Sequence, residues 1–292
     1  MEVVFALLSD PRGGFSLKCL LEAAELSKST YMFHRKRILA GKSARKELEG
    51  LVKAEFEENL GRYGVRRITA SLRAKGTLVN HKTVQRIMKK LGLKGKRPKK
   101  RRKYCSYMGT VGKVADNLIE RRFDVSVPRK VFVTDVTEFN LGQEIGRVYL
   151  SPVMDLFNRE IIGFDIARHP DFAQIRRMME KAFGHTEVAK GALFHSDQGW
   201  QYQNGEFGRT LSKLGMKQSM SRKGNCHDNA VMENFFGRLK AEMFYGEENT
   251  FRDYEDFKKK LEDYIAWYNR SRIKKYLRWR SPRQVLSAKG TV

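Results

Sequence analysis

The sequence predicts an α/β domain that follows an all-α region and precedes a short helical segment. Apolar residues recur at helical spacing through most of residues 17–91. After residue 130, short apolar runs rich in β-branched and aromatic residues alternate with helical stretches. This alternation is typical of a mixed sheet flanked by helices. Aromatic and leucine side chains again recur at helical spacing between Tyr254 and Tyr268.

Composition and charge narrow the class of protein. The chain has 292 residues, with 58 Lys plus Arg against 33 Asp plus Glu and a formal net charge of +25. The length predicts two or more domains, and the charge predicts a polyanionic partner. Nucleic acid is the usual partner of this kind, and an anionic membrane surface is the alternative. Without a long apolar stretch or a signal-peptide pattern, we expect no membrane span and a cytoplasmic location.

The cysteines are three and lie far apart, at Cys19, Cys105 and Cys226. Their spacing does not match a zinc module, so reduced thiols are expected.

Residues 1–44 are predicted to form a helix-turn-helix. A helix face formed by Leu17, Leu20, Leu21 and Ala24 precedes a turn, at which Ser27 is a suitable N-cap. A second helix, ending in a run of cations, is expected to extend to Ile38.

Residues 45–103 are predicted to contain a second helix-turn-helix and a basic linker. The expected helices are 48–60, 66–75 and 81–91, with Gly76 ending the second and Asn80 capping the third. The polar face of the third helix is the candidate for reading DNA, through Lys82, Gln85, Arg86 and Lys89. The alternative is an ordinary solvated helix in a small bundle.

The segment Lys94–Lys103 holds eight cations and no acid. Such a segment cannot bury a core and is predicted to be a flexible linker. Its candidate function is to follow a DNA backbone through Arg97, Arg101 and Arg102. A solvated charge run is the alternative, and residues 104–128 are expected to continue the linker.

Residues 129–245 are predicted to form the α/β domain. One central strand is expected over Val131–Phe139, because this run is apolar on both faces. Further strands are expected at 147–155, 160–166, 192–196 and 216–220, and helices at 172–183, 206–214 and 229–243. Asp228 is a suitable cap for the last of these helices. Residues 246–292 are expected to form a basic helical C-terminal segment, in which Ser281 and Pro282 begin a short helix.

Three carboxylates are the candidate catalytic and metal-binding residues. Asp135 and Asp197 are predicted at strand ends and Glu233 on a helix, with 35 residues between the last two. Oxygen-only ligands suit Mg²⁺ or Mn²⁺ rather than Zn²⁺, and a pair of such ions can act on a phosphodiester. Other acidic residues of the domain, Glu138, Asp155 and Asp165, are expected to bind the backbone or a neighbouring arginine.

The predicted helix that carries Glu233 has two different faces. Asn229, Glu233, Gly237 and Lys240 lie along one face, and apolar residues lie mostly on the other. Gly237 leaves room either for a nucleic-acid backbone or for a closely packed helix. The histidines that flank the carboxylates, His195 and His227, are expected to be structural or to contact DNA.

Several segments, taken together, carry a resemblance to a known family. They are 61–64, 134–139, 150–155, 195–202, 219–225, 228–233, 236–240, 268–272 and 281–282. The chain resembles the DDE transposases of bacterial insertion sequences, which are relatives of retroviral integrases. Within them it is similar to the product of the second reading frame in elements made from two overlapping frames.

This resemblance implies an RNase H-like catalytic domain in which Asp135, Asp197 and Glu233 bind two Mg²⁺, with Mn²⁺ as a substitute. It implies that Lys240 contacts element-end DNA and that the helical region reads terminal inverted repeats. It further implies a reaction in two steps, in which water cleaves the DNA and the freed 3′-hydroxyl then attacks target DNA. The enzyme is expected to act as a homo-oligomer on DNA and to be associated with the nucleoid. A fusion with or a partner from an upstream reading frame is also implied. A nuclease of the same fold, and a repressor or domesticated DNA-binding protein that does not transpose, are the alternatives.

Overall fold

A computed structural model describes residues 2–8, 14–97 and 114–288 of the chain. The chain divides into two compact units between Gly95 and Lys96. The described residues of the first unit form helices, which are α1 (Glu2–Leu8), α2 (Leu17–Ala23), α3 (Lys28–Glu58), α4 (Val65–Ala74) and α5 (His81–Lys90).

Helix α3 corrects two of the sequence predictions. It runs without interruption through 31 residues, where two separate helices and a domain boundary between residues 44 and 45 were expected. Ser27 caps it as predicted, and its hydroxyl accepts a hydrogen bond from the Thr30 N–H at 3.1 Å. The polar stretch around Gly41 resembles a break, but one glycine costs a helix only about 1 kcal/mol. The neighbouring turns therefore carry the helix across it.

Helices α4 and α5 pack against each other and against α3. Their apolar faces are buried, through Ile68 and Leu72 on α4 and Val84, Ile87 and Met88 on α5. Gly76 ends α4 with φ +89°, a conformation that favours glycine. Asn80 caps α5 by accepting a hydrogen bond from the Lys82 N–H at 2.9 Å. The helix-turn-helix outline predicted for this part of the chain is confirmed.

The second unit is built on one mixed sheet. Its strands are β1 (Val131–Thr134), β2 (Thr137–Asn140), β3 (Arg147–Asp155), β4 (Ile161–Ala167), β5 (Leu193–Ser196) and β6 (Lys217–Met220). Strand β4 pairs antiparallel along one edge of β3, and β1 and β2 pair antiparallel with its other edge. Strand β1 also pairs parallel with β5, and β5 pairs parallel with β6.

The helices of the second unit are α6 (Gly142–Ile145), α7 (Phe172–Phe183), α8 (Trp200–Gln203), α9 (Gly205–Lys213), α10 (Ala230–Met243), α11 (Tyr254–Arg270) and α12 (Pro282–Ser287). Helix α12 begins with the predicted cap, because Ser281 and Gln284 form a capping box.

The expected single strand over Val131–Phe139 is two strands with a break at Asp135 and Val136. Opposite the break on β3 lie Ser151 and Pro152, because Thr134 pairs with Val153 and Thr137 with Leu150. Proline has no N–H, so the ladder cannot be completed there. The Thr134 hydroxyl instead donates to the Pro152 oxygen at 2.9 Å. The break leaves Asp135 outside the regular strand.

Two apolar cores cover the two faces of the sheet. One core contains Phe132 and Phe194 from the sheet and residues of α7 and α9. The other contains Val131 and Val133 together with residues of α10 and α11. Successive residues of β1 therefore point to opposite faces, as the pleat requires. Helix α11, placed in the C-terminal segment by the sequence, shares its core with α10.

Candidate active site

The register of two parallel strands places Asp135 and Asp197 at the same edge of the sheet. Val133 pairs with His195, and each aspartate lies two residues after its member of this pair, directly beyond the end of its strand. In an α/β sheet, the carboxyl ends of parallel strands are where ligands bind. The Asp135 Oδ1 accepts a hydrogen bond from the Val136 N–H at 2.8 Å, and the Asp197 Oδ1 accepts one from the Gly199 N–H at 2.9 Å.

Gly199 lies in a tight space at this edge. A Cβ at this position would lie 3.0 Å from the Asp197 Oδ1 and 2.8 Å from the side chain of Gln201. A larger residue would therefore crowd the aspartate and require Gln201 to move. The predicted turn after Asp197 is therefore built closely around its carboxylate.

Electrostatics connect Glu233 to the two aspartates. Burial raises the pKa of Asp135 well above its usual range, and the negative charges of Asp197 and Glu233 raise it further. Burial also raises the pKa of Asp197. The structure thus brings the charges of Asp197 and Glu233 within electrostatic range of Asp135.

Across residues 2–8, 14–97 and 114–288, no three Asp, Glu, His or Cys side chains form a group that could hold a metal ion. The charges of Asp197 and Glu233 act on Asp135, but the three carboxylates are not close enough together to form a metal site. Their chemistry nevertheless suits a hard divalent cation, because the donors are oxygens and the half-buried like charges favour neutralisation by a cation. Asn229 adds a buried Oδ1 that has no hydrogen-bond partner in the structure. The residues present fit Mg²⁺ or Mn²⁺.

Two side chains join α10 to the strands that carry the aspartates. The Asn229 Nδ2 donates to the Thr134 oxygen at 3.0 Å, directly before Asp135. His195 lies two residues before Asp197, and its Nε2 is 3.1 Å from the main-chain oxygen of Asp228. Burial lowers the pKa of His195 to about 4, so the ring is neutral. Its contacts are structural, which is one of the two roles expected for it. These contacts fix the start of α10 relative to both strands.

Asp228 does not cap α10, and the prediction of that role is wrong. The cap position belongs to Asn229, and a short 3₁₀ turn, Cys226–Asn229, precedes the helix. The buried Asp228 carboxylate instead accepts hydrogen bonds from Arg222 Nε at 2.9 Å and Arg121 Nε at 2.8 Å. Arg222 and then Arg121 hold the pKa of Asp228 well below its usual range. Asp228 therefore joins the loop before α10 to the segment that leads into the domain.

The expected faces of α10 are present. Met232, Phe235, Phe236 and Leu239 are buried. Among the described residues, nothing lies within 4 Å of a Cβ built at Gly237, so close helix packing does not explain this glycine. The glycine leaves open the side of α10 between Glu233 and Lys240.

Lys240 lies at the far end of that open side. Its Nζ donates to the Glu138 oxygen at 2.6 Å and lies 5.1 Å from the centre of the Phe139 ring. Burial lowers the pKa of Lys240, while the charges of Glu138 and Asp135 act in the opposite direction. The amine is thus held within electrostatic range of Asp135.

The other acidic residues of the domain have the structural partners expected of them. Asp165 binds Lys181 and Arg177, at 2.6 and 2.9 Å. Asp155 accepts the N–H groups of Arg129 and Phe157, each at 2.9 Å.

The predicted DNA-reading residues of α5, which are Lys82, Gln85, Arg86 and Lys89, are all exposed. Arg97 is exposed as well. Arg101 and Arg102, like residues 98–113 as a whole, lie outside the described residues. No helix in the described part of the chain has the length and apolar character needed to cross a membrane.

A helix-turn-helix region and a mixed sheet with acidic residues at its edge define an integrase-type enzyme acting on nucleic acid. Family comparisons agree. An HTH-like domain matches residues 43–101, and integrase core domains match residues 126–226 and 233–285.

Individual relatives give the family. The chain is 41% identical over 276 residues to the putative transposase InsK for insertion sequence element IS150 of Escherichia coli, covering 94% of this chain and 95% of that protein. It is 52% identical over 204 residues to an uncharacterized transposase-like protein of Haemophilus influenzae, covering 70% and 91% of the two chains. It is 31% identical over 290 residues to the transposase InsF for insertion sequence IS3A of Escherichia coli, covering 97% and 98%. The protein belongs to the insertion-sequence transposases with an RNase H-like integrase core, which are DDE enzymes.

Proposed function

We propose that this transposase cleaves and joins DNA strands at the ends of an insertion element, with Asp135, Asp197 and Glu233 as its catalytic residues. The observation that carries this proposal is the parallel register of β1 and β5. It brings two half-buried aspartates to one sheet edge, where the charge of Glu233 also acts.

The same three residues would hold two Mg²⁺ ions, or Mn²⁺ in their place. When bound, such a pair lowers the pKa of the attacking hydroxyl and stabilises the leaving oxygen. The chain itself supplies the geometry. Asn229 and His195 fix the helix that carries Glu233, and the Gly199 N–H fixes the carboxylate of Asp197.

The proposed reaction has two steps. In the first, water attacks a phosphorus at the element end, the P–O3′ bond breaks, and the element keeps a free 3′-hydroxyl. In the second, that hydroxyl attacks a target phosphorus, and the target 3′ oxygen leaves and takes up a proton. Neither step needs a covalent bond to the protein. We assign Lys240 to an element-end phosphate, because its amine is held within electrostatic range of Asp135.

Recognition of the element ends is assigned to the first unit. Its helix α5 exposes long polar and cationic side chains, and its position in an HTH-like domain is that of a recognition helix. We propose that it reads terminal inverted repeats, while Arg97, Arg101 and Arg102 follow the backbone. Joining two ends requires two active sites, so a homo-oligomer on DNA is part of the proposal. Such an enzyme would work at the nucleoid, in the cytoplasm of a bacterial cell.

The decisive experiment incubates the full chain with labelled element ends, target DNA and Mg²⁺ or Mn²⁺. We expect cleaved and joined strands, and neither product with Asp135→Asn, Asp197→Asn or Glu233→Gln. Variants that bind ends normally and fail to cleave support the assignment. Full activity in any one of them would remove that residue from the site, and binding without cleavage by the wild type would favour a repressor. Running the assay with and without the upstream-frame product tests the expected dependence on it.

A further inference from the structure

A cationic pocket lies on a different side of α10 from Glu233. It has a volume of about 240 Å³ and is lined by Asn234, Phe235 and Arg238 of α10, together with residues of the β3–β4 turn and the chain around the end of α11. We call it the Arg238 pocket. Its volume is below the usual range for a drug-sized ligand, so it can take one flat ring or one phosphate but not a duplex.

The charge of the Arg238 pocket is one-sided. Four of the side chains that line it are cationic, which are Arg159, Arg238, Arg272 and Lys274, and none of the described lining residues is acidic. Arg272 is neutralised behind the wall by Glu242, with its Nε 2.8 Å from the Glu242 Oε2. The remaining cations leave an excess of positive charge at the opening, which favours an anionic ligand.

Arg159 is held rigidly in the wall of this pocket. Its backbone has φ +61°, a conformation uncommon for a residue with a side chain. Its Nη2 donates to the Phe123 oxygen at 2.9 Å, and its guanidinium carbon lies 4.9 Å from the centre of the Tyr276 ring. Its Nη1 is buried and has no hydrogen-bond partner in the structure. An unsatisfied charged donor of this kind is costly, and an anionic acceptor would relieve the cost.

Aromatic rings complete the pocket. The Lys274 Nζ lies 4.0 Å from the centre of the Tyr268 ring and 2.6 Å from its hydroxyl, so this ring belongs to the wall. Tyr276 is 50% exposed at the edge, with the Arg159 guanidinium over its ring. Cations next to an exposed aromatic ring are the arrangement by which proteins hold unpaired nucleotides, through the phosphate and the base together.

The position of the pocket excludes the scissile phosphate itself. Arg238 follows Glu233 by five residues, which corresponds to about 7.5 Å along the helix and about 140° around it. The pocket is therefore separate from the carboxylates. It is too small for a stacked duplex, whereas one nucleotide of an unpaired strand can place its phosphate there.

We propose that the Arg238 pocket binds an unpaired DNA nucleotide next to the cleavage point, with Arg238 and Arg159 at its phosphate and Tyr276 stacked on its base. This inference rests on the proposed function, because it assumes a DNA substrate whose strands are separated beside the active site. It adds a site for single-stranded DNA within the catalytic unit.

The test measures DNA binding without divalent metal, so that cleavage plays no part. Fluorescence anisotropy compares a fully paired element end with the same end carrying a short unpaired overhang. We expect Arg238→Gln and Tyr276→Ala each to weaken binding of the overhang substrate about tenfold, and to leave the paired end unchanged. The salt dependence should lose about 0.7 of a unit of slope for Arg238→Gln and nothing for Tyr276→Ala.

Lys275→Gln is the matched control, because Lys275 is an exposed cation directly before Tyr276 that does not line the pocket. It should affect both substrates equally, and thermal melting checks the fold of all three variants. Unchanged overhang binding in Arg238→Gln and Tyr276→Ala, or equal losses on both substrates, would overturn the proposal. Competition by millimolar inorganic phosphate alone would also overturn it in favour of a free-anion site. A selective loss in a protein that cuts no DNA would keep this site and reject the proposed function.

Discussion

The side chain of Asn229 is bonded to the backbone of Thr134, with 3.0 Å between its Nδ2 and the Thr134 oxygen. The two residues lie 95 positions apart in the chain. Thr134 directly precedes Asp135, and Asn229 directly precedes α10, the helix that carries Glu233. This bond fixes the helix of Glu233 against the strand of Asp135. It makes Asn229 a positioning residue for the carboxylates that we propose to be catalytic.

Replacing Asn229 by Ala should therefore reduce cleavage much more than it reduces DNA binding. We expect kcat to fall at least tenfold, with the affinity for element ends within about twofold, because a small displacement of Glu233 is enough to misplace the reacting groups. Single-turnover cleavage and mobility shift separate the two quantities.

Asn269→Ala is the matched control. Asn269 is also buried, and its amide bonds to the Ile161 backbone at 3.0 and 2.9 Å, on a strand that carries none of the three carboxylates. Asn269→Ala should lower the free energy of unfolding to a similar extent, by about 1–2 kcal/mol, which a lower melting temperature would show. It should leave kcat unchanged at temperatures below the unfolding transition. Equal kcat values for the two variants would show that Asn229 acts on stability alone.

Lys240→Ala should weaken strand joining and end binding more than it harms the fold. The amine lies within electrostatic range of Asp135 and its partner is a main-chain oxygen, so the side chain can be removed without breaking a buried ion pair. We expect a loss of about tenfold in the affinity for element ends, measured by mobility shift at fixed salt. Lys213→Ala, which removes an exposed cation of α9, is the comparison and should have little effect. A Lys240→Ala protein that joins strands at the wild-type rate would count against the DNA contact.

Arg86→Ala should reduce selection of the element ends. Arg86 is exposed on α5, and a contact to a base or a phosphate there is expected to contribute about 1–3 kcal/mol or one unit of salt slope. The control is Lys90→Ala, because the Lys90 Nζ is 2.7 Å from Glu49 within the same unit. Competition between element-end and random DNA measures the selectivity. The assignment of α5 fails if both variants select ends equally well.

Asp228 should make the stability of the protein depend on pH in the acid range. Arg222 and Arg121 lower its pKa in the folded state, so its contribution is complete above the unfolded pKa of about 3.9 and is lost as pH falls toward the lower folded value. Asp228→Asn should cost about 2 kcal/mol at pH 7. Its difference from the wild type should shrink below pH 4, as urea unfolding at several pH values would show. A difference that stays constant with pH would mean that the carboxylate is not stabilised by these arginines.

Local patterns predicted most of the helices and strands within one or two residues. The i, i+3, i+4 spacing located α5, and the capping residues Ser27, Asn80 and Ser281 all act as expected. The three carboxylates could be proposed from the sequence because each follows or lies on an element that the local pattern defines. What failed was the prediction of elements whose ends depend on distant residues.

The break at Asp135 is one such case, because its cause is Pro152 on a neighbouring strand. Asp228 is another, because a residue before a helix resembles a cap unless its distant arginine partners are known. The bond from Asn229 to Thr134 has no trace in periodicity at all, since it joins residues far apart in the chain. Sequence patterns report the neighbours along the chain, whereas these contacts are decided by the packing of the sheet.

The shared core of α10 and α11 has a consequence for the element that encodes this protein. Leu261, Tyr264 and Tyr268 pack with Met232 and Phe235, on the buried side of the helix that carries Glu233. A stop codon or frameshift after the codon for Glu233, but before the end of α11, would leave all three carboxylates encoded. It would still remove the residues of α11 that pack against the helix carrying Glu233. Damaged copies of the gene should therefore lose mobility even when the lesion lies downstream of all three acidic codons.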